Sequence, residues 1–547
     1  MKLRGFLGTG LIVVAALAQT PPPAPVQAAV PKQPEVILKA TTRLVQVSVI
    51  VQKHGQPVAD LKKEDFQLRD NGKLQKIDLF NVEATDKATL PKAAAPLPPG
   101  IYTNELAQRP GTPASVTIIL LDNNNTNLER QMYARQQVLK YLQTIKPEDR
   151  IGIYRLSGGL KVLHSYTTDS ADLVALLANY KGKDIPDLSK NATGALDGEM
   201  VQINQFFTPP GSSGAERDFY TIDRVKGTLK AIEFIADNLA SLPGRKNLIW
   251  VSGGFPNQIN LLNFKDPTRI QADFTPEIRS CIRAMNNANL SIYPVDSRAL
   301  MTDGRFSAEH QKVDLRPNLK APIGVNNQET MEELASGTGG RAYYNTNDLK
   351  KAIADAVDDS RVVYTLGFYP ADEAFDGKFH KLEVKVADQS GLSLRYRKGY
   401  FDAPQTPVDT QTAMTELKDA VWSPLDSTAL GLIIAAKPDP KNPTQLNMAV
   451  EVEPKSISLE PQGDRWAGRL DILFIQKNDK GQQFDGVDET VTLNLTRENY
   501  DKLIQHGFVF RKSVNMSAQA KMVRIIVRDA PSGAMGSVTI PFNQLTH

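Results

Sequence analysis

The chain is poor in the residues that build most metal and redox sites: one cysteine, six histidines and three tryptophans among 547 residues. A lone cysteine excludes an intrachain disulfide and every paired-cysteine zinc or iron–sulfur spacing. Cys281 lies in PEIRSCIRAMNNAN, a helical pattern that assigns it to a buried core. His54, His164, His310, His380, His506 and His547 are scattered, with no H-E-x-x-H or other paired spacing to hold zinc. Charge of one sign is also lacking: a formal net charge of +3 gives no electrostatic reason to expect nucleic acid as a partner. Long apolar runs are missing apart from FLGTGLIVVAALA near the N-terminus, which is shorter than the ~20 residues that cross a bilayer. Lys2 and Arg4 precede that run and Ala16-Leu17-Ala18 closes it, the layout of a cleaved export signal with no stable membrane insertion afterwards.

What is present is ordinary globular composition, 41% hydrophobic and 23% charged, on a length that calls for several cores. After a signal peptide at 1–18 and a Pro-rich linker at 19–35, residues 36–83 read as a small β module. Val45, Val47, Val49 and Val51 alternate with polar residues, and Asn71-Gly72 sits between two alternating runs, as a type I′ hairpin turn requires. Residues 84–114 read as a linker. From 115 to 360, apolar segments such as SVTIILLD, IGIYRLS, NLIWVSGG and LSIYPVD alternate with amphipathic helices. That alternation predicts a doubly wound parallel sheet covered on both faces, whose ligands bind at the carboxyl ends of the strands. A polar insertion interrupts it at 170–218, and its tip TPPGSSGAE reads as mobile. Residues 361–402 return to β periodicity and are expected to pair with 36–83. A linker at 403–425 precedes a C-terminal β-sandwich at 426–547, with helix expected only around 498–505.

The first strand of the α/β region ends in LLDNNNT and runs at once into a long helix. This resembles the metal-ion-dependent adhesion site of the von Willebrand factor A (VWA) family. There a D-x-S-x-S loop, a Thr from a later loop and an Asp in a T-D-G turn hold a divalent cation, usually Mg²⁺. By that resemblance Asp122, Asn124 and Thr126 occupy the D-x-S-x-S positions, Thr221 matches the later Thr, and Ser252-Gly253-Gly254 stands at the T-D-G turn. Gly253 thus replaces an expected carboxylate, which lowers the affinity for a hard cation; Asp223 or Asp296 could compensate. Read without the ion, Asp122 and Thr126 cap the helix that follows. The phrases GQPVADLKKEDFQLRDNGKLQKI, LPGRKNLIWVSGGFP, SIYPVDSRAL, TGGRAYYNTNDL, YTLGFYP and RYRKGYF, in that order, extend the resemblance to exported bacterial VWA-related proteins. The fold class is then multidomain α/β plus β: a Rossmann-like VWA domain inserted in or flanked by a small β-sandwich-like module, followed by a β-sandwich.

Catalysis finds little support. Ser252 in WVSGG lacks the first Gly of a nucleophile elbow, since Trp250 stands there, and LSGGLK at 156–161 lacks the spacing of a phosphate-binding loop. The aromatic pairs Tyr343-Tyr344 and Phe368-Tyr369 read as core packing. The expectation is an exported, non-catalytic adhesion or scaffold protein that binds a protein or peptide through the rim bearing Asp122, Asn124, Thr126, Thr221 and Asp296. The alternatives are a metal-independent structural or assembly factor of the cell envelope and, less favoured, a hydrolase with a Ser or Asp beside a His.

Overall fold

The computed structural model describes residues 45–84, 97–105, 116–146, 149–179, 213–242, 244–259, 270–298, 327–359, 361–370, 378–387, 391–401, 410–479 and 481–545. The signal segment, the Pro-rich linker and residues 180–212 of the insertion lie outside them.

Five strands form the sheet that positions the site: β1 (Val116–Asp122), β2 (Ile151–Leu156), β3 (Leu160–Thr167), β4 (Lys246–Ser252) and β5 (Leu290–Asp296). Their spatial order is β5-β4-β1-β2-β3, with β3 antiparallel to β2 and the other pairs parallel. Every residue of β1, β2, β4 and β5 is buried, because successive side chains point to opposite faces and helices cover both. On one face Ile119, Leu121, Ile249 and Val251 pack under α1 (Leu128–Leu142), α2 (Ser170–Asn179) and α6 (Leu349–Asp358). On the other, Ile118, Leu120, Leu248 and Trp250 pack under α3 (Gly214–Leu239), α4 (Thr275–Asn287) and α5 (Asn327–Thr338). Each such aliphatic side chain removed from water contributes roughly 1.5–3 kcal/mol, and a polar residue on either face would forfeit it. The chain leaves β1 toward β2 on one side while β4 lies on the other. That reversal opens a crevice above the carboxyl ends of β1 and β4.

Val45–Lys53 pairs antiparallel with Val362–Phe368, which also pairs with Leu79–Ala84; Phe66–Asp70 pairs with Phe379–Val386. Residues before and after the α/β domain therefore share two sheets around one core that includes Val47, Leu68, Tyr364 and Leu382. Asn71 and Gly72 both take positive φ, 46° and 82°, in the tight turn between Phe66–Asp70 and Lys73–Gln75. In the C-terminal region Phe508–Asn515, Gln445–Val452 and Leu432–Pro438 form one sheet. Arg465–Lys477, Met522–Asp529 and Met535–Pro541 anchor the other, and the helix Arg497–His506 lies at their edge.

Four sequence-based expectations are corrected. Ile101–Thr103, assigned to a linker, is an edge strand on Leu432–Pro438; three residues are too few to display a period of two. Thr410–Trp422, also assigned to a linker, is a helix whose Ala413, Leu417, Ala420 and Val421 are buried at helical spacing, a stripe masked by the Pro and Thr residues before it. The tip of the insertion ends in structure, since Ser213 caps α3 and Glu216 returns the bond to the Ser213 N–H. The aromatic pairs split, because neighbours on an extended chain face opposite ways: Phe368 is buried while Tyr344 and Tyr369 are exposed.

Candidate functional site

The crevice is floored by Asp122 at the end of β1, and its carboxylate is surrounded by donors. Oδ1 accepts from the backbone N–H groups of Asn124 and Asn125, both at 3.1 Å. Oδ2 accepts from Asn125 Nδ2 at 2.8 Å, Trp250 Nε1 at 3.0 Å and Ser252 Oγ at 2.7 Å. Burial pushes the carboxyl group's pKa up, and the bonds from Asn125, Ser252 and Trp250 oppose that rise.

The other expected ligands are similarly engaged. Asn124 Oδ1 accepts from Gly158 N at 2.9 Å, and Thr126 Oγ1 accepts from Gly253 N at 3.1 Å, which ties the β1 loop to the β4 loop. The cap of α1 is Asn127, which accepts from Arg130 N, so neither Asp122 nor Thr126 performs that role. Thr221 was placed on a loop by the sequence pattern but lies within α3, where its hydroxyl donates to Arg217 O at 2.9 Å. Asp223 is on the exposed side of the same helix. Asp296 does reach the rim: it is in register with Ser252, and Ser297 N donates to Ser252 O at 2.9 Å. Its carboxylate, however, is held by Arg298 through Nε at 2.9 Å and Nη2 at 2.7 Å.

Four contributors escaped the sequence reading. Asn125 joins the carboxylate to α3 by donating also to Thr228 Oγ1 at 2.8 Å, and it accepts from Arg224 Nε at 3.0 Å. Arg224 is buried, and burial draws its pKa down to about 10 although the charge of Asp122 pulls it back up. Trp250 seals the bottom of the site, fully buried against Phe255. The available signal was the run of three asparagines after Asp122 and the helical spacing of Asp218, Thr221, Arg224 and Thr228, polar residues on the buried side of α3.

A divalent cation needs oxygen lone pairs aimed at a common point and left free for it. Here the matched carboxylate has five protein donors, the second is an ion pair with Arg298, and a guanidinium stands beside the first. Gly253 could not carry the missing carboxylate in this backbone, because a Cβ there would lie 2.5 Å from Asn125 O. As placed, these residues do not fit a divalent cation. Among the described residues no group of three or more His, Cys, Asp or Glu side chains is arranged to hold a metal.

No family profile matches the chain, and no curated protein does. Among solved structures it is similar to an aerotolerance-related membrane protein from Bacteroides fragilis, at 14% identity and a TM-score of 0.23, over 45% of this chain and 98% of that one. It is also similar to three N-terminal domains of the type V pili tip protein Mfa5 from Porphyromonas gingivalis, at 7% identity and a TM-score of 0.25, over 90% and 77%. A von Willebrand factor type A protein from Catenulispora acidiphila is similar at 9% identity and a TM-score of 0.24, over 63% and 80%. Likeness at this level leaves the functional reading to the residues themselves.

Those residues offer little to a nucleophilic mechanism. Ser252 Oγ donates to Asp122 and accepts from Gly254 N at 2.9 Å, so its hydroxyl proton is directed into the protein and no histidine takes it. An Asp and a His do meet elsewhere: His380 Nδ1 lies 3.1 Å from Asp70 Oδ1, and Tyr400 donates to Asp70 Oδ2 at 2.8 Å. All three are buried in the β module and bonded to one another, as in a core polar network.

Proposed function

We propose that this chain is a non-catalytic binding or assembly protein, exported by its N-terminal segment, in which a VWA-type domain works as a metal-independent scaffold for a protein or peptide partner. What supports the reading is the filled coordination of Asp122: five donors and the neighbouring Arg224 do for its charge what a cation would otherwise do. A rim fixed in this way is rigid before any partner arrives, which lowers the ordering cost of binding. The polar insertion at 170–218 leads into α3 beside this rim and is the element that would set partner choice. Among the described residues no helix is long and apolar enough to cross a membrane.

The test is calorimetric titration of Mg²⁺ and Mn²⁺ into the metal-stripped protein, with Asp122→Ala alongside. No saturable binding at millimolar ion is expected. Saturable binding that disappears in the variant would replace this reading with a metal-dependent adhesion site.

A further inference from the structure

The outer face of the C-terminal sheet carries a feature that the rim does not explain. Outward positions of a solvated sheet ordinarily bear long polar or β-branched side chains. Here two alanines, Ala435 and Ala449, stand directly opposite one another on Leu432–Pro438 and Gln445–Val452. Their short side chains leave a groove of about 680 Å³, within the range of small-ligand and short-peptide sites. The next residue in the same row is Arg511, opposite Ala449, and the adjoining row begins with Lys437, opposite Asn447. Both cations are exposed, and among the described residues neither forms an ion pair, whereas neighbouring Lys512 is paired with Glu489. Asn447 and Ser513 complete the row; none of the residues lining the groove is acidic, and Asp439, between Pro438 and Pro440, is held by Asn447 Nδ2 at 2.9 Å.

We propose that this groove binds an extended, acidic segment of a partner protein, with Lys437 and Arg511 each receiving a carboxylate and the alanine floor taking the chain between them. Lys437 and Arg511 lie two strand spacings apart across the sheet and two residues apart along it, a Cα separation of about 12 Å. An extended chain covers that distance in three to four residues at about 3.3 Å each, so two carboxylates with that spacing meet both cations together. The same two side chains are long enough to converge on one small anion, so displacement by phosphate is the arm of the test that separates the two cases. Strand addition is disfavoured, because Pro99, Pro438 and Pro440 line the groove and contribute no N–H donors. Recognition therefore rests on side-chain charge and on the depth that the alanines provide. The site is on a different domain from Asp122, so it stands or falls separately from the rim.

The experiment uses the full chain with labelled hexaglutamate at low ionic strength, read by fluorescence anisotropy, with hexaglutamine as the neutral comparison. Saturable binding of hexaglutamate alone is expected. It should weaken at least about tenfold in the double variant Lys437→Glu, Arg511→Glu and again in Ala449→Phe, which fills the groove. Charge reversal of Arg497 and Lys502, on the helix of the same domain, should leave it unchanged. The charge-reversal variant alters only exposed side chains, so it remains decisive if Ala449→Phe folds poorly. Equal binding of hexaglutamine, an equal loss in the Arg497 and Lys502 control, or displacement by equimolar inorganic phosphate would each overturn the proposal.

Discussion

If Asp122 is a structural acceptor, removing it should damage the domain even when no ion is present. In Asp122→Ala, five donors lose their acceptor: two backbone N–H groups, the Asn125 amide, the Trp250 indole and the Ser252 hydroxyl. A buried donor left unsatisfied costs about 1–3 kcal/mol. Asn125 keeps Thr228 as an acceptor, whereas the bond that Ser252 retains from Gly254 N uses its oxygen and not its proton, so the severe losses fall on the two backbone groups, Trp250 and the Ser252 hydroxyl. Against them stands the desolvation of the wild-type carboxylate, several kcal/mol that the variant no longer bears. Leaving Arg224 without its nearby charge adds to the cost. The net expectation is a destabilisation of about 3–5 kcal/mol, the scale seen when one partner of a buried charged network is deleted. Urea unfolding in EDTA, followed by tryptophan fluorescence and far-ultraviolet circular dichroism, measures it. A metal site makes the opposite forecast: without ion, loss of a ligand carboxylate should be near neutral, and Mg²⁺ should stabilise the wild type. A loss below about 1 kcal/mol in EDTA together with a Mg²⁺-dependent gain would refute the reasoning.

Adding a carboxylate at position 253, where the resemblance to an adhesion site would place one, should fail. Gly253→Asp brings a Cβ against Asn125 O, so the variant is expected to lose about 2–4 kcal/mol and to acquire no Mg²⁺ affinity, as measured by thermal unfolding and calorimetry. Asp237, on α3 where the C-terminal domain docks through Thr428, has its pKa pushed up to about 7 by burial and by Glu233. A raised carboxyl pKa means that the native state binds the proton more tightly, so this stabilisation is complete below about pH 4 and is lost as pH rises through about 7. Asp237→Asn should therefore gain stability relative to wild type across that interval, by on the order of 2–4 kcal/mol in urea titrations at a series of pH values. A difference that does not change with pH would exclude the assignment.

The strands of the α/β domain were readable because each is buried on both faces and so appears as an uninterrupted apolar run, SVTIILLD or LSIYPVD, between helical patterns. The β modules were readable through alternation at Val45 to Val51 and through Asn71-Gly72, where the turn chemistry needs positive φ. What was not readable depends on contacts distant in sequence. Ile101–Thr103 becomes a strand only because Leu432–Pro438 offers it an edge. Thr221 looked like a loop residue because the helical pattern grows strong only after Thr228, whereas the capping pair Ser213 and Glu216 starts the helix about four turns earlier. At the site, position and residue type were legible, but the direction of each lone pair was not. Asp122, Asn124 and Thr126 sit on the loop where the pattern put them, yet each faces a protein donor more than two residues away or on another element.

The residues at the positions that the resemblance assigns to the D-x-S-x-S and T-D-G ligands are physically linked. Gly253 lets the β4 loop come close enough for Gly253 N to reach Thr126 Oγ1, and that closeness is what excludes a side chain at 253. With one carboxylate left in a buried crevice, neutral donors become the means of keeping it in the fold, and Asn125, Trp250 and Ser252 supply them at one oxygen. Arg224 brings the positive charge from α3 through Asn125, so charge balance is built into the chain instead of being drawn from solution. Changing any one of these residues alone leaves either an unpaired donor or an unbalanced charge. Cation binding in this crevice would therefore require Gly253, Asn125 and Arg224 to change together.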